Sequence, residues 1–245
     1  MKPYQAIPIV ECGEPLVPIP LNVFAAQQPH PYVKLAAPYG ARSPYFLREG
    51  VLHSLMTAQA QLQEWYPGWR IQIFDAYRPI AVQQFMVDHT FQETVRTCGL
   101  EPDQLTTAQR SEILDRVYQF WAVPSNNPAT PPPHSTGAAI DITLVDAVGI
   151  PIDMGSPIDE LSERSYPNHF AAAQWAKAEP HCTIEAAQRS YFDHNRQILY
   201  RIMTAAGFQQ HPNEWWHFSQ GDQMWVWLVQ QESLDKASVA RYGMV

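Results

Sequence analysis

Apolar residues recur at helical spacing in four segments of this 245-residue chain. A repeat of three or four positions favours an amphipathic helix with one face in the core. The segments are the residues between Ser43-Pro44 and Pro67-Gly68, residues 80–97, residues 106–121 and residues 183–206. Thr183 is predicted to cap the last helix, and Gly207 lies just past its end.

Shorter apolar segments predict β-strands. The alternation of apolar and polar residues over 69–75 is typical of a half-buried strand, and the same alternation covers 139–144. Residues 146–149 predict a hairpin turn after the second of these strands. The strongly apolar run 224–229 predicts one more strand near the end of the chain.

Residues 1–43 show neither the helical repeat nor the strand alternation of apolar residues, and they are rich in proline, glutamine and tyrosine. We predict that they form an extended arm, with at most a short strand, on a single domain that spans residues 1–245. A chain of this length can bury a large core. Its hydrophobic fraction of 46% is typical of a globular protein and not of a disordered one.

Charge and cysteine content argue against several classes of protein. The formal net charge of −8 disfavours a nucleic-acid or anionic-membrane partner. No stretch approaches the roughly 18 apolar residues of a membrane span, and the N-terminal residues lack the apolar run of a signal peptide. Cys12, Cys98 and Cys182 form no CxxC pair, which argues against a thiolate zinc site or a disulfide framework. We therefore predict a soluble, cytoplasmic protein.

An aspartate interrupts the apolar segment 139–144. Because the isoleucines and the leucine of this segment alternate, Asp141 faces the opposite side of the predicted strand. A carboxylate in such a strand costs free energy unless a cation or a hydrogen-bond donor neutralises it. His134 precedes it on a proline-stiffened approach, and Gly137 permits a tight turn between the two.

A second polar motif, Glu214-Trp-Trp-His217, lies far downstream. Residues three apart point to opposite faces of a regular strand, so Glu214 is predicted in the turn before the strand that carries His217. Together with His134 and Asp141, this motif supplies the ligand types of a hydrolytic zinc site. It also supplies a carboxylate that can take the proton of an activated water.

Each of these residues also has an ordinary structural explanation. The chain contains nine histidines, and a lone histidine is usually a surface or a packed residue. We interpret His53 as packed, and His181 and His194 as surface or capping residues. Asp141 could cap a turn, and Glu214 could be a solvated charge. The combination of residue types and spacings favours chemistry over these separate explanations.

A third motif, Asp75-Ala-Tyr-Arg78-Pro79, follows the predicted strand 69–75. The end of a strand is a position where a scaffold can hold a side chain firmly over a cleft. From spacing alone, an ion pair between Arg78 and Asp75 at the surface is the favoured interpretation.

Taken together, these motifs resemble the zinc D-alanyl-D-alanine dipeptidases of the vancomycin-resistance type. Those enzymes belong with zinc D,D-peptidases that share a fold with the Hedgehog signalling domain. The similar segments occur in the same order, over more than half of the chain: Asp75–Pro79, His134–Asp141, Asp153–Ser165 and Glu214–His217. With the mixture of strands and helices, the resemblance implies an α+β fold in which helices flank a small antiparallel sheet.

The resemblance also implies a role for each residue. One zinc ion per chain would be held by three ligands: His134, Asp141 and His217. Glu214 would take a proton from the zinc-activated water and deliver it to the departing amine. Arg78 would stabilise the oxyanion of the tetrahedral intermediate. This role would replace the surface ion pair with Asp75 that spacing alone favours. Asp159 would hold the free amino group of a dipeptide.

The implied reaction is hydrolysis of D-alanyl-D-alanine to free D-alanine, with a small peptide as substrate and with no nucleic-acid or membrane partner. One position departs from the family, because Pro132 stands where the family usually has a serine near the substrate. An alternative is a zinc D,D-carboxypeptidase or peptidoglycan-fragment peptidase that acts on longer substrates. A second alternative is a zinc-binding interaction domain without turnover, against which the presence of Glu214 and Arg78 argues.

Overall fold

The structure, a computed structural model, describes residues 2–175, 185–232 and 238–245. Within these ranges the chain forms helices α1 (Pro31–Lys34), α2 (Glu49–Trp65), α3 (Ile80–Thr97), α4 (Thr107–Val117), α5 (Ala172–Trp175), α6 (Ala186–Ala205) and α7 (Gln223–Glu232). Short 3-10 turns cover Pro3–Ala6, Pro102–Gln104, Pro133–Thr136 and Glu163–Ser165. Thr183, His181 and Cys182 lie outside the described residues.

Seven short strands complete the part of the fold that the structure describes. They are β1 (Leu16–Pro18), β2 (Ala25–Ala26), β3 (Phe46–Arg48), β4 (Arg70–Asp75), β5 (Ala139–Val145), β6 (Gln209–Gln210) and β7 (His217–Ser219). Five form one sheet in the order β2-β4-β5-β7-β6, and β1 pairs with β3. The predicted α+β class, with helices around a small sheet, is confirmed. All neighbours in the larger sheet are antiparallel except the edge pair β2 and β4, which is parallel.

The central strand β5 separates the core from the polar face of the sheet. Ile140, Ile142 and Leu144 are fully buried in a cluster that includes side chains of α2 and α6. Asp141 lies on the opposite face, as the alternation predicts. The antiparallel register places Asp75 of β4 and His217 of β7 directly beside it. Three polar side chains therefore form a row across three adjacent strands.

A second apolar cluster lies beside the first and joins α3 and α4 to the N-terminal arm. Its buried members include Tyr32 and Tyr39 from the arm and Trp121 after α4. Helix α3 covers the predicted range, and α4 ends at Val117, before the predicted end at residue 121. The arm thus contributes to the core and is more than a surface extension. The single-domain organisation stays a prediction.

Two predictions about α2 are wrong. The helix begins at Glu49 and not directly after Ser43-Pro44, because Phe46–Arg48 pairs with β1. This pairing satisfies the backbone groups of those residues in a sheet, which local periodicity does not reveal. His53 is exposed on α2 and is not a packed side chain.

The strand predicted at residues 224–229 is also wrong, because these residues lie within α7. A short apolar run does not by itself distinguish a buried strand from a buried helix. Asp222 precedes the helix, and its Oδ1 accepts a hydrogen bond of 2.8 Å from the backbone N–H of Trp225. Such a cap satisfies a backbone donor that a helix start would otherwise leave free.

Two findings bear on the predicted class of protein. Within the described ranges, no helix combines the length and apolar character needed to cross a membrane. Cys12 and Cys98 are free and exposed.

The turn predicted at residues 146–149 is present, since the N–H of Asp146 donates to the carbonyl of Ile150 across it.

Candidate metal centre

Three buried side chains meet at one point on the polar face of the sheet. His134 Nε2 lies 3.2 Å from Asp141 Oδ2, and His217 Nδ1 lies 3.0 Å from Asp141 Oδ1. The two imidazoles approach each other at 3.1 Å, between His134 Nε2 and His217 Nδ1. The structure thus brings together residues that are up to 83 positions apart in the chain.

Local structure explains how His134 reaches this point. It lies in the 3-10 turn Pro133–Thr136, which ends at Gly137 in the left-handed conformation, with φ of 70°. A side chain at Gly137 would also collide with Leu16, so glycine is required there. His134 Nδ1 lies 2.7 Å from the carbonyl oxygen of Ala76 and donates to it, because that oxygen can only accept. The Nε2 lone pair is thereby directed toward Asp141.

This arrangement fits a divalent metal ion. Ligand atoms about 2.0–2.1 Å from a tetrahedral ion lie about 3.3 Å from one another. Here the two imidazole nitrogens are 3.1 Å apart, and each lies 3.0–3.2 Å from one of the two carboxylate oxygens of Asp141. The lone pair of His134 Nε2 faces a carboxylate oxygen, and two such atoms repel unless a cation or a proton lies between them. Two imidazoles and one carboxylate are also the ligand types that zinc prefers.

The charges at the site favour a cation as well. Burial opposes the charged form of Asp141, but the electrostatic influence of His134 and His217 holds its pKa well below the usual range. Burial lowers the pKa of His217, which favours the neutral imidazole that a metal needs. An ionised carboxylate and a neutral imidazole are the forms that bind a metal.

Glu214 lies in the turn before β7, as the spacing to His217 predicts. Its Oε2 is 3.7 Å from His217 Nδ1, and its Oε1 is 3.6 Å from Nδ1 of His211. Burial and the negative charges of Asp141 and Asp159 raise the pKa of Glu214 well above its usual value. The carboxyl group therefore lies beside the ligands, in surroundings that make it a good proton acceptor.

Arg78 forms a buried ion pair with Asp75, and not the surface pair that spacing alone favours. Its Nε donates to Asp75 Oδ2 at 2.8 Å, and its Nη2 donates to Asp141 Oδ2 at 3.2 Å. The guanidinium lies over the rings of Tyr32 and Trp121, at 5.1 and 4.9 Å from their centroids. These contacts hold a cationic donor next to the ligand carboxylate.

Two residues that the sequence interpretation missed support Asp75, which is completely buried. His30 Nδ1 accepts the N–H of Tyr32, so its Nε2 carries the proton and donates to Asp75 Oδ1 at 3.1 Å. The hydroxyl of Tyr39 donates to the same oxygen at 3.1 Å. Both come from the N-terminal arm, and neither lies in a motif that would have indicated the contact.

Replacing Asp75 with asparagine is expected to lower the free energy of unfolding by about 3 kcal/mol. The amide leaves the buried Arg78 without its closest counter-charge, and it directs a donor toward His30 or Tyr39, which already donate. Urea unfolding measures the difference. The matched control is Asp88→Asn on the exposed side of α3, with an expected change within about 0.5 kcal/mol. A loss at Asp75 no larger than in this control would contradict the supporting role.

Asp159 lies in the loop after β5 and has a positive φ of 66°. The hydroxyl of Tyr32 donates to its Oδ2 at 2.7 Å, which links the arm to this loop across 127 positions. Burial and the negative charge of Asp141 raise the pKa of Asp159 to about 7. Tyr32 is a further site residue that sequence reasoning did not identify.

One cavity in the described part of the chain is lined by all six residues singled out from the sequence: Arg78, His134, Asp141, Asp159, Glu214 and His217. Residues 25–238 match the family model described as D-Ala-D-Ala dipeptidase. The chain belongs to the D-Ala-D-Ala dipeptidase family. The family predicted from the motifs is thereby confirmed.

Individual members of the D-Ala-D-Ala dipeptidase family are similar to this chain over different fractions of its length. The D-alanyl-D-alanine dipeptidase of Synechocystis sp. is 53% identical over 245 residues, which cover 100% of this chain and 97% of the relative. That of Enterococcus faecalis is 30% identical over 67% of this chain and 69% of its own length. That of Escherichia coli is 42% identical over 35% of this chain and 36% of its own length.

Pro132 stands where the dipeptidase family usually has a serine. It is buried, and it directly precedes the 3-10 turn that carries His134. The neighbouring Pro133 lines the cavity, and Pro132 does not. A larger cavity of about 940 Å³ is lined in part by residues 151–158, and its walls contain none of the six site residues. The smaller cavity is therefore the candidate active site of this dipeptidase family member.

Proposed function

We propose that this protein is a zinc dipeptidase that hydrolyses D-alanyl-D-alanine to two molecules of D-alanine. The observation that supports the proposal most directly is that His134, Asp141 and His217 each offer a ligand atom and that these atoms lie within 4.8 Å of one another. Glu214 and Arg78 lie beside these atoms, as a hydrolytic site requires. Family membership and the full-length relative support the substrate.

The three ligands would hold one zinc ion per chain. Bound there, zinc supplies a water of lowered pKa and polarises the carbonyl of the substrate. His134 is held in its orientation by the carbonyl of Ala76. Such support of a ligand by a second group preserves the geometry of the site during turnover.

Glu214 is the proposed general base and then the general acid. Its carboxylate accepts the proton of the attacking water and later delivers it to the amine that leaves the scissile amide. The raised pKa of Glu214 makes it a stronger base, and a cation at the neighbouring ligands favours its ionised form. The contact of 3.7 Å between Glu214 Oε2 and Nδ1 of the proposed ligand His217 supports this role.

Arg78 is the proposed oxyanion donor. Its Nε donates to Asp75, its Nη1 donates to Gln83, and its Nη2 donates to Asp141 at the ligands. The guanidinium is therefore fixed before substrate arrives, with Nη2 beside the ligand carboxylate. A preorganised donor of this kind stabilises the transition state by about 3 kcal/mol.

Asp159 is proposed to bind the ammonium group of the dipeptide. It is the carboxylate of the cavity that is neither a proposed ligand nor close to His217, and Tyr32 fixes its orientation at 2.7 Å. An ammonium ion beside it restores the ionised form that burial disfavours. An acylated amine carries no charge and adds bulk, so longer peptides would be poorer substrates.

Acetylation of the substrate amine is expected to lower kcat/KM by at least about 100-fold, because a charged partner of Asp159 is lost. The Asp159→Asn variant is expected to lose most of this discrimination. The matched control is Glu163→Gln, an exposed residue of the same loop, which should discriminate like the parent protein. D-alanine release from D-Ala-D-Ala and N-acetyl-D-Ala-D-Ala measures both effects. Equal rates for the two substrates would instead support the carboxypeptidase alternative.

The proposal as a whole is tested by D-alanine release from D-Ala-D-Ala, with protein of measured zinc content. We expect activity in proportion to bound zinc, up to one ion per chain. Zinc-loaded protein that is inert on the dipeptide and on longer D,D-peptides would overturn the proposal. That result would support the alternative of a binding domain without turnover.

A further inference from the structure

The side chain of Lys2 lines the cavity that contains the candidate ligands. Lys2 precedes the 3-10 turn Pro3–Ala6, and its N–H donates to Gln5 Oε1 at 2.9 Å. The turn is fixed to the body of the protein, because Gln223 Nε2 of α7 donates to the carbonyl of Ile7 at 2.6 Å. The buried Tyr4 adds a packing contact. Lys2 is thus held at the cavity by a structured segment.

The ammonium group of Lys2 has no counter-ion within the part of the chain that the structure describes. It takes part in none of the ion pairs within 4.0 Å and in no side-chain hydrogen bond there. The other permanent cation of the cavity, Arg78, is already paired with two carboxylates. Burial lowers the pKa of Lys2, and the nearby charge of Glu214 acts against this effect. A half-buried cation without a counter-ion is the feature that an anionic ligand would complete.

The cavity carries charged groups of both signs besides the proposed ligands. Lys2 and Asp159 both line it, and the hydroxyl of Tyr32 donates to Asp159 Oδ2 at 2.7 Å. A positive group and a negative group therefore both belong to the wall of the proposed reaction centre.

A free dipeptide has the complementary distribution of charge, with an ammonium and a carboxylate on either side of one amide bond. We propose that Lys2 binds the C-terminal carboxylate of the substrate and restricts the enzyme to substrates that carry this group. The proposal rests on the proposed dipeptidase function. It assigns a role to the positive group of the cavity wall, in addition to that of the negative group at Asp159.

The size of the cavity is consistent with a mobile lysine side chain at its edge. The cavity volume is about 30 Å³, which is room for about two water molecules. A dipeptide enters only if part of the wall moves. The side chain of Lys2 rotates about four bonds at low cost, so it can move away from Glu214 and then pair with the carboxylate.

The test compares D-Ala-D-Ala with D-alanyl-D-alaninamide, in which a neutral amide replaces the carboxylate. Lys2→Ala is expected to lower kcat/KM for the free acid by about 10- to 100-fold, mainly through KM, because a charge-assisted contact is lost. For the amide the change should stay below about 3-fold. Lys2→Arg should recover most of the activity on the acid. The matched control, Lys34→Ala, removes the same charge from an exposed position and should behave like the parent protein.

A binding measurement separates this proposal from the reaction itself. In zinc-loaded Glu214→Gln protein, titration calorimetry gives the affinity for D-Ala-D-Ala with and without the additional Lys2→Ala change. A loss of about 10-fold or more, absent for the amide, supports the proposal even if turnover is not detected. Equal losses for acid and amide, or no loss for either, would overturn it. A parent protein that binds the dipeptide but does not hydrolyse it would contradict only the dipeptidase function.

Discussion

Glutamine in place of Glu214 is expected to lower kcat for D-Ala-D-Ala by about 10³-fold, within the usual range for removal of a general acid–base group. Glutamine retains the size of the side chain but cannot accept a proton from water or return it to the leaving amine. KM and bound zinc should change little, because Glu214 is not a proposed ligand. The measurement is D-alanine release at saturating dipeptide, with zinc content determined on the same preparation.

The Glu214→Asp variant tests whether a carboxylate at a shorter reach can replace Glu214. Aspartate retains the carboxylate but draws it back by about one bond length, so partial activity is expected between the glutamine variant and the parent protein. If Glu214→Gln keeps more than about a tenth of the parental kcat, another group must handle the proton. If it loses the metal instead, Glu214 acts as a ligand and the proposed division of roles is wrong.

Alanine in place of His217 is expected to remove both the bound zinc and all measurable activity, which is the largest effect among these variants. Three protein ligands become two, and the vacated volume exposes the lone pairs of His134 and Asp141 to water. Metal affinity depends on ligand number and geometry, so loss of one ligand lowers it by orders of magnitude. Zinc content by atomic emission and D-alanine release give the two readouts.

The chain offers a matched control in His53→Ala, on the exposed side of α2. It removes the same side chain and should leave zinc content and activity unchanged. Chelation of the parent protein, followed by addition of zinc, should abolish and then restore activity. A His217→Ala protein that retains one zinc per chain and turns over the dipeptide would show that the three-residue centre is not the catalytic site.

The sequence was sufficient to predict the centre of the fold and the residues that meet there. Asp141 in an alternating strand is a local signal, and the structure places it on the polar face of β5. The spacing of Glu214 and His217 likewise predicts a turn before a strand, and the structure contains one. These predictions succeed because side-chain direction in a strand follows from position alone.

The contribution of the N-terminal arm could not be predicted in this way. Tyr32 and Asp159 are 127 positions apart, and His30 is 45 positions from Asp75. Such contacts depend on how the chain folds back on itself, and neither periodicity nor a motif records that path. The arm lacks the regular alternation that identifies β5, so its sequence gives no indication of the positions of Tyr32, His30 and Lys2.

The wrong predictions for α7 and β3 also arise from contacts that the local sequence pattern does not show. The apolar run in α7 is compatible with two secondary structures, and Asp222 caps the helix that forms. Strand β3 pairs with β1, in the register that places Phe46 beside Pro18. Local periodicity shows neither the cap nor the pairing.

The row of Asp75, Asp141 and His217 across neighbouring strands limits how this protein can vary. Deletion or insertion of a single residue within β5 would turn the acidic side chain into the apolar interior and present an isoleucine at the surface in its place. Engineering by loop exchange is therefore compatible with this scaffold, whereas any length change inside the strand must come in steps of two residues.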